Sequence, residues 1–278
     1  MSKPWILVSP ASRGIGHALT RHLLRTTTAP ILATARSDLS GVRKSILDSN
    51  GSDGDRLDSA SSRLHITRLD VTQEPTLESA AAEASSLFPQ FTHHLHFALT
   101  LPGVLLHPEK SPRDVNYHDA LETLRINVLG PLLLMKWFGE FLPRRNTDIS
   151  LEPLFTNSGN EEPAHATWLT TSARVGSTSD NRLGGWYTYR ASKAAVTSLT
   201  KTFDLHLQMR CRDSAISIAY HPGTVRTGLS KDYWDRVRED RLFTPEYAAR
   251  RMVDVVRSRK VAEHRGKFWD WKGEEVLP

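Results

Sequence analysis

Ile6-Leu-Val-Ser-Pro-Ala-Ser-Arg-Gly14-Ile-Gly16-His-Ala-Leu19 is the stretch that decides the fold. An apolar run that opens at Trp5 stops at Ser9 and Pro10, and two glycines then introduce an amphipathic segment from Ala18 to Leu24. That order predicts strand, tight turn, helix. Gly14 and Gly16 permit close backbone approach, and the free N–H groups and positive end of the next helix suit a pyrophosphate. Taken alone, the turn fits an ordinary strand-to-helix connection equally well.

Outward from this unit, strand-like and helical runs alternate along the chain. Strands are predicted at Trp5–Val8, Ile31–Ala35, Leu64–Leu69, Leu95–Leu99, Ala166–Thr170, Ile216–Tyr220 and Lys267–Trp269. Helices are predicted near Gly16–Thr26, Thr76–Phe88, Ala120–Leu142, Tyr189–Arg210 and Pro245–Arg257. Such a series makes an α/β fold: a Rossmann-type doubly wound parallel sheet of about seven strands in a single domain, with its ligand at the C-terminal strand ends. Asn50–Ser62, rich in Ser, Gly and Asp, and the polar Pro143–Pro163 read as surface insertions.

Bulk properties narrow the function classes. A chain of 278 residues, 39% hydrophobic and 24% charged, is an ordinary globule able to bury one large core. Its 36 basic against 31 acidic residues favour anionic ligands mildly. No basic block is interleaved with aromatics as a nucleic-acid surface requires, so nucleic acid is not an expected partner. The single cysteine, Cys211, excludes an internal disulfide, fits a reducing compartment and reads as a buried small hydrophobe. The first strand begins too early to leave room for a leader, and no apolar run reaches the ~20 residues of a membrane span. The expectation is a cytoplasmic protein without a membrane partner. No metal-ligand pattern is read.

Trp186-Tyr-Thr-Tyr-Arg-Ala-Ser-Lys193 carries the second signal. Tyr189 and Lys193 are one helical turn apart and project from one face. A phenol with a pKa near ~10 is a slow acid at neutral pH, and a neighbouring cation lowers that value toward proton exchange with a carbonyl oxygen.

Through these two elements the chain resembles the short-chain dehydrogenase/reductase family, and within it the branch of small carbonyl reductases related to C-factor and sniffer. The resemblance runs from about Trp5 to Trp271 through five ordered motifs. These are the turn Ser9–Gly16, Leu69-Asp-Val-Thr72, Asn127 in Arg-Ile-Asn-Val-Leu-Gly, the pair Tyr189 and Lys193, and His221-Pro-Gly-Thr-Val-Arg-Thr227. It implies an NADP(H)-dependent oxidoreductase that reduces a ketone or aldehyde, reversibly an alcohol dehydrogenase. Tyr189 would protonate the carbonyl oxygen, Lys193 would tune the phenol and hold the ribose, Asn127 would anchor a proton relay, and Ser172 would hydrogen-bond the carbonyl. Ser9, Ser12, Arg13, Gly14, Ile15 and Gly16 would form the phosphate turn, with Gly103 across from it. Asp70 would accept from the adenine amino group with Val71 beside the ring, and Val225 and Thr227 would contact the nicotinamide amide. The family often pairs the Asn127 and Tyr189 helices across a two-fold axis, which implies a homodimer or homotetramer.

Cofactor choice is also read from residues. Arg36 lies 20 positions after Gly16, where NAD-binding folds place an acid, and neither Thr34 nor Ala35 is acidic. A guanidinium there pairs with a 2′-phosphate, so NADP(H) is expected, with Arg13 as a second cation and Asp38 as the complicating acid. Three departures stand out. Pro10 occupies the family's first glycine, Thr100-Leu-Pro-Gly103 keeps only the glycine of its motif, and Ala173 falls where the family serine is counted. Ser172, one residue earlier, can face a substrate only if the strand bends. These departures keep open an alternative: a catalytically weak dinucleotide-binding sensor, or a partner-binding protein, on the same fold.

Overall fold

Strand β1 (Lys3–Ser9) is buried from Trp5 to Ser9, and β2 (Ile31–Ala35) is buried at all five positions. Continuous burial is the mark of strands covered on both faces. A computed structural model describes residues 1–48, 60–149, 153–156 and 163–278. In it, β1 and β2 join β3 (Leu64–Arg68), β4 (His93–Thr100), β5 (Ala166–Thr171), β6 (Ala215–His221) and β9 (Phe268–Asp270). The seven-stranded sheet runs β3-β2-β1-β4-β5-β6-β9, and every pairing is parallel. Strand order reverses between β1 and β4, the point at which doubly wound sheets open a ligand crevice. There Ser9 pairs with Thr100, and the Leu101 N–H donates to the Ser9 carbonyl at 2.6 Å.

Side chains of β1 alternate between two cores. Ile6 and Val8 pack with Leu19 and Leu23 of α1 (Gly14–Thr26) and Met252 and Val256 of α7 (Pro245–Arg257). Trp5 and Leu7 pack on the other face with Leu77 of α3 (Glu74–Leu87), Leu134 of α5 (Gly130–Phe138) and Leu207 of α6 (Tyr187–Cys211). Cys211 is buried in this second core as a free thiol.

Several elements differ from the sequence reading. Helix α2 (Leu39–Leu47) is absent from it, although Leu39, Val42 and Ile46 share the inner side of that helix. The long helix expected over 120–142 is instead α4 (Tyr117–Leu124), a π-helical turn at Arg125–Leu129, then α5 and a 3-10 turn. Gly130 and Pro131 follow the π turn directly. Within the insertion expected at 143–163, Leu154 and Phe155 are core residues at 4% and 3% exposure, so this segment is not wholly surface. Thr28 N–H donates to the Leu154 carbonyl at 2.8 Å, which ties the segment to the end of α1. Residues 49–59, 150–152 and 157–162, which hold most of the two expected insertions, lie outside the described residues.

At the N-terminal end of β4, buried His94 hydrogen-bonds Ser2 Oγ at 3.0 Å and His96 Nδ1 at 3.2 Å. Burial lowers His94 from 6.5 to about 4 and His96 to about 3, and the nearby His165 falls to about 4 for the same reason. Their folded values lie below the unfolded one, so the unfolded chain binds more protons at mildly acid pH. Stability is therefore full above about pH 6.5 and is lost as pH falls toward the folded values. Thermal melts should show Tm falling steadily from about pH 7.5 to about pH 5, and a flat profile would contradict this.

Candidate functional site

The glycine turn is fastened to β2. Ala11 N–H donates to the Thr34 carbonyl at 2.8 Å, and the Thr34 hydroxyl donates to the buried Ser9 hydroxyl at 2.8 Å. These bonds secure the turn on both sides of Pro10, despite its missing amide. A Cβ on Gly16 would sit 1.9 Å from the Pro10 carbonyl oxygen, so only glycine lets α1 start this close to the turn. Gly14 has φ +57, and a Cβ there would meet Thr227 Cγ2 at 3.1 Å. The two ends of the expected cofactor site are thus adjacent. No side chain caps α1 and its first turn carries no acid, so its amides and positive end suit an anion. Ser12 and Arg13 are exposed beside it and Ile15 is half-buried.

Arg36 is exposed just beyond β2, and its charge helps hold Asp70 down. Burial raises the Asp70 carboxyl, but hydrogen bonds from the Thr72 amide at 2.9 Å and hydroxyl at 2.8 Å, with Arg36 and Arg125, outweigh it and leave it lowered. Asp38 caps α2 with its left-handed backbone (φ 48) and side chain, and the carboxylate accepts from Gly41 N–H at 3.0 Å. Val71 packs on Gly130, where a Cβ would come within 3.0 Å. An exposed guanidinium and a lowered carboxylate thus stand close together beyond the β2 and β3 ends, a donor and acceptor set whose chemistry fits a phosphorylated dinucleotide.

Tyr189 and Lys193 lie on the first turns of α6, at 8% and 3% exposure. Lys193 Nζ is 5.7 Å from the Tyr189 ring centroid and donates to the Thr171 carbonyl at 3.2 Å. Asn127 is fully buried within the π turn and clamps one backbone residue from both sides. Its Oδ1 accepts from Val104 N–H at 2.8 Å, while its Nδ2 donates to the Val104 carbonyl at 2.9 Å and to Ser192 Oγ at 3.1 Å. A Cβ on Gly103 would fall 3.4 Å from Lys193 Nζ and 3.9 Å from Asn127 Oδ1. Lys193, Asn127 and Gly103 therefore converge, with Tyr189 one helical turn away. The Thr100 hydroxyl donates to the Leu169 carbonyl at 2.8 Å and bridges β4 to β5.

Two expectations need correction. The phenol is not lowered by the polypeptide: burial pushes Tyr189 up, and burial also brings the Lys193 ammonium down to about 8. Nor does Ser172 face the reaction side. Its hydroxyl donates to the Lys193 carbonyl at 2.9 Å and lies 3.4 Å from Thr197 Oγ1, so it braces α6 against β5. Ala173, extended and half-buried, offers no hydroxyl in its place.

The C-terminal motif forms β7 (Thr224–Val225), paired with β8 (Leu242–Phe243). Ser230 Oγ donates to the Val225 carbonyl at 2.5 Å and accepts from Trp234 Nε1 at 2.9 Å, which holds a 3-10 turn at Lys231–Arg236 over this strand. Trp186 meets the Tyr189 ring edge-on at 6.1 Å and the Tyr233 ring at 5.0 Å. Thr34, Glu109 and Trp186 contact Ser9, Thr188 and Tyr189 respectively, and the sequence reading assigns none of them a role. Trp186 stands inside the quoted motif, but nothing in the sequence marks its left-handed backbone (φ 53). Thr34 and Glu109 act through contacts 25 and 79 residues distant.

Comparison with known proteins gives a consistent setting. No family model matches the chain. The 1-hydroxy-2-glutathionyl-2-methyl-3-butene dehydrogenase of Rhodococcus sp. (strain AD45) is 30% identical over 200 residues, covering 72% of this chain and 74% of that one. The C-signal protein of Myxococcus xanthus is 31% identical over 163 residues, 59% of this chain and 81% of its own. Among solved structures, the carbonyl reductase Sniffer of D. melanogaster shares the fold over the full length of both chains, with a TM-score of 0.76 at 19% identity. The NADPH-bound carbonyl reductase from chicken fatty liver does so with a TM-score of 0.73 at 23% identity.

Proposed function

We propose that this chain, which belongs to the short-chain dehydrogenase/reductase family, is an NADP(H)-dependent oxidoreductase that interconverts a ketone or aldehyde with its alcohol. The observation that carries the reading is the convergence of Lys193, Asn127 and Gly103 beside Tyr189, at the crevice where β1 and β4 part. The turn Ser9–Gly16, Arg13, Arg36, Asp70, Val71, Val225 and Thr227 would hold the dinucleotide, which supplies the hydride when bound.

The protein's own residues do the rest. Tyr189 donates a proton to the carbonyl oxygen in reduction and takes it back in oxidation. Lys193, with its pKa brought to about 8 by burial, is poised to exchange protons near neutral pH and places a positive charge near the phenol. That charge offsets the burial which raises Tyr189, most strongly while the ammonium is protonated. Asn127, fixed by Val104 and Ser192, holds the backbone of the β4–α4 connection against Lys193. Thr171 takes one ammonium hydrogen bond through its carbonyl and directs Lys193. The substrate oxygen is met by Tyr189 without a serine partner. That feature favours a second reading, the catalytically weak dinucleotide-binding sensor. Leu121, Leu124 and Leu132 on α4 and α5, and Leu205 and Met209 on α6, are exposed apolar side chains that a second copy would cover. A homodimer or homotetramer therefore belongs to the proposal, as does a cytoplasmic location. Among the described residues, no helix is long and apolar enough to cross a membrane.

NADPH should bind at least tenfold more tightly than NADH, because Arg36 gains a charged partner worth more than ~1.4 kcal/mol and Asp38 is occupied as a helix cap. Arg36→Asp should reverse the order. Fluorescence titration of both cofactors checks this, and equal affinities in the unmodified protein would sink the assignment.

A further inference from the structure

Residues 101–116 join β4 to α4, and one of them holds the start of the helix that carries Tyr189. We infer that Glu109 is a positioning residue: its carboxylate supplies the N-terminal cap that α6 lacks and so fixes the turn bearing the phenol. The inference rests on the proposed role of Tyr189.

Trp186 precedes α6 in a left-handed conformation (φ 53) and contributes no side-chain cap. The first amides of the helix then need an acceptor from elsewhere. Both Glu109 carboxylate oxygens lie 3.3 Å from Thr188 N, the Thr188 hydroxyl donates to Oε1, and Trp186 N–H donates to the Glu109 carbonyl at 2.6 Å. Glu109 is only 6% exposed. A buried carboxylate is costly unless its oxygens are satisfied, and here the hydroxyl, the amide and the positive helix end satisfy them. Thr188 directly precedes Tyr189, so slack in this turn passes to the phenol. The same connection already meets the site at its near end, through Val104 on Asn127 and Gly103 beside Lys193. Glu109 fastens its middle. Trp186, anchored by that bond, is then the ring between Tyr189 and Tyr233.

Three variants in the full chain test the assignment: Glu109→Ala, Glu109→Gln and Thr188→Val. The probes are NADPH with 4-nitrobenzaldehyde, and amide hydrogen exchange of the peptide covering residues 186–193. Glu109→Ala should lower kcat by roughly ten- to a hundredfold, the scale of a small misplacement of a reacting group, with NADPH affinity unchanged. Exchange of the 186–193 peptide should quicken while the core strands stay protected. Glu109→Gln, whose amide oxygen still accepts from Thr188, should recover most of both. Should Glu109→Ala fail to fold, Thr188→Val, which removes one donor, should lower kcat by roughly three- to tenfold and loosen the same peptide. Unchanged exchange at 186–193 in Glu109→Ala, or a Gln variant as impaired as Ala, would overturn the assignment. Full activity in Glu109→Ala beside an inactive Tyr189→Phe would sink this inference alone, whereas an active Tyr189→Phe would sink the proposed function.

Discussion

Tyr189→Phe is expected to lower kcat by ~10²–10⁴-fold, the range lost with a positioned general acid, while NADPH affinity stays within about twofold of the unmodified protein. The ring is buried at 8% exposure and packs against Trp186, and phenylalanine preserves both features. Only the hydroxyl, and with it the proton donor, is removed. Tyr187 supplies the control, because it sits two positions away on the same helix turn yet is 43% exposed. Tyr187→Phe should change kcat by less than about threefold. Steady-state rates with parallel cofactor titrations separate the two variants, and similar activity in both would mean that the acid has been misassigned.

Gly16→Ala is expected to have the largest effect on the folded protein and its cofactor together. The added Cβ would lie 1.9 Å from the Pro10 carbonyl oxygen and 3.3 Å from Ala11 Cα, and both are backbone atoms. The turn they belong to is pinned to β2 through Thr34, so it cannot retreat without breaking those bonds. Overpacking against fixed backbone costs about 3 kcal/mol, equivalent to several degrees or more in Tm. Displacing the turn also moves the α1 amides, so NADPH should no longer raise the Tm of the variant. A variant with unchanged Tm that is still stabilised by NADPH would contradict the close approach.

The seven strands of the main sheet are legible because each is an apolar run bounded by turn residues, and local pattern is enough to place such segments along the chain. Tyr189 and Lys193 are legible as a pair from their spacing on one helix face, and Asn127 from the family resemblance; Gly103 lies beside both Lys193 and Asn127. What escapes a sequence reading is non-local or conformational. Asp38 reads as a charge near the ribose, yet a left-handed backbone commits it to capping α2, and no spacing rule reveals a positive φ. Ser172 looks like a substrate ligand because its hydroxyl stands next to the expected position. Its direction is set by Lys193 and Thr197, 21 and 25 residues downstream. Leu154 and Phe155 are two apolar residues in a polar stretch, too few to show a period, yet tertiary packing draws them into the core. Helix α2 is the avoidable miss, since an acid at its cap and three apolar residues on its inner side are present in the sequence.

The central claim is that, in the proposed reaction, the bound nicotinamide supplies the hydride to the carbonyl carbon and Tyr189 supplies the proton to its oxygen. The most direct measurement is NADPH consumption by the purified protein across a panel of aldehydes, ketones and quinones, followed by loss of nicotinamide absorbance with Tyr189→Phe alongside. The account predicts sustained consumption with at least one carbonyl compound, one alcohol formed for each NADPH, and its disappearance in the variant. Tight NADPH binding with no consumption across the panel would contradict it and leave the behaviour of a dinucleotide-binding sensor.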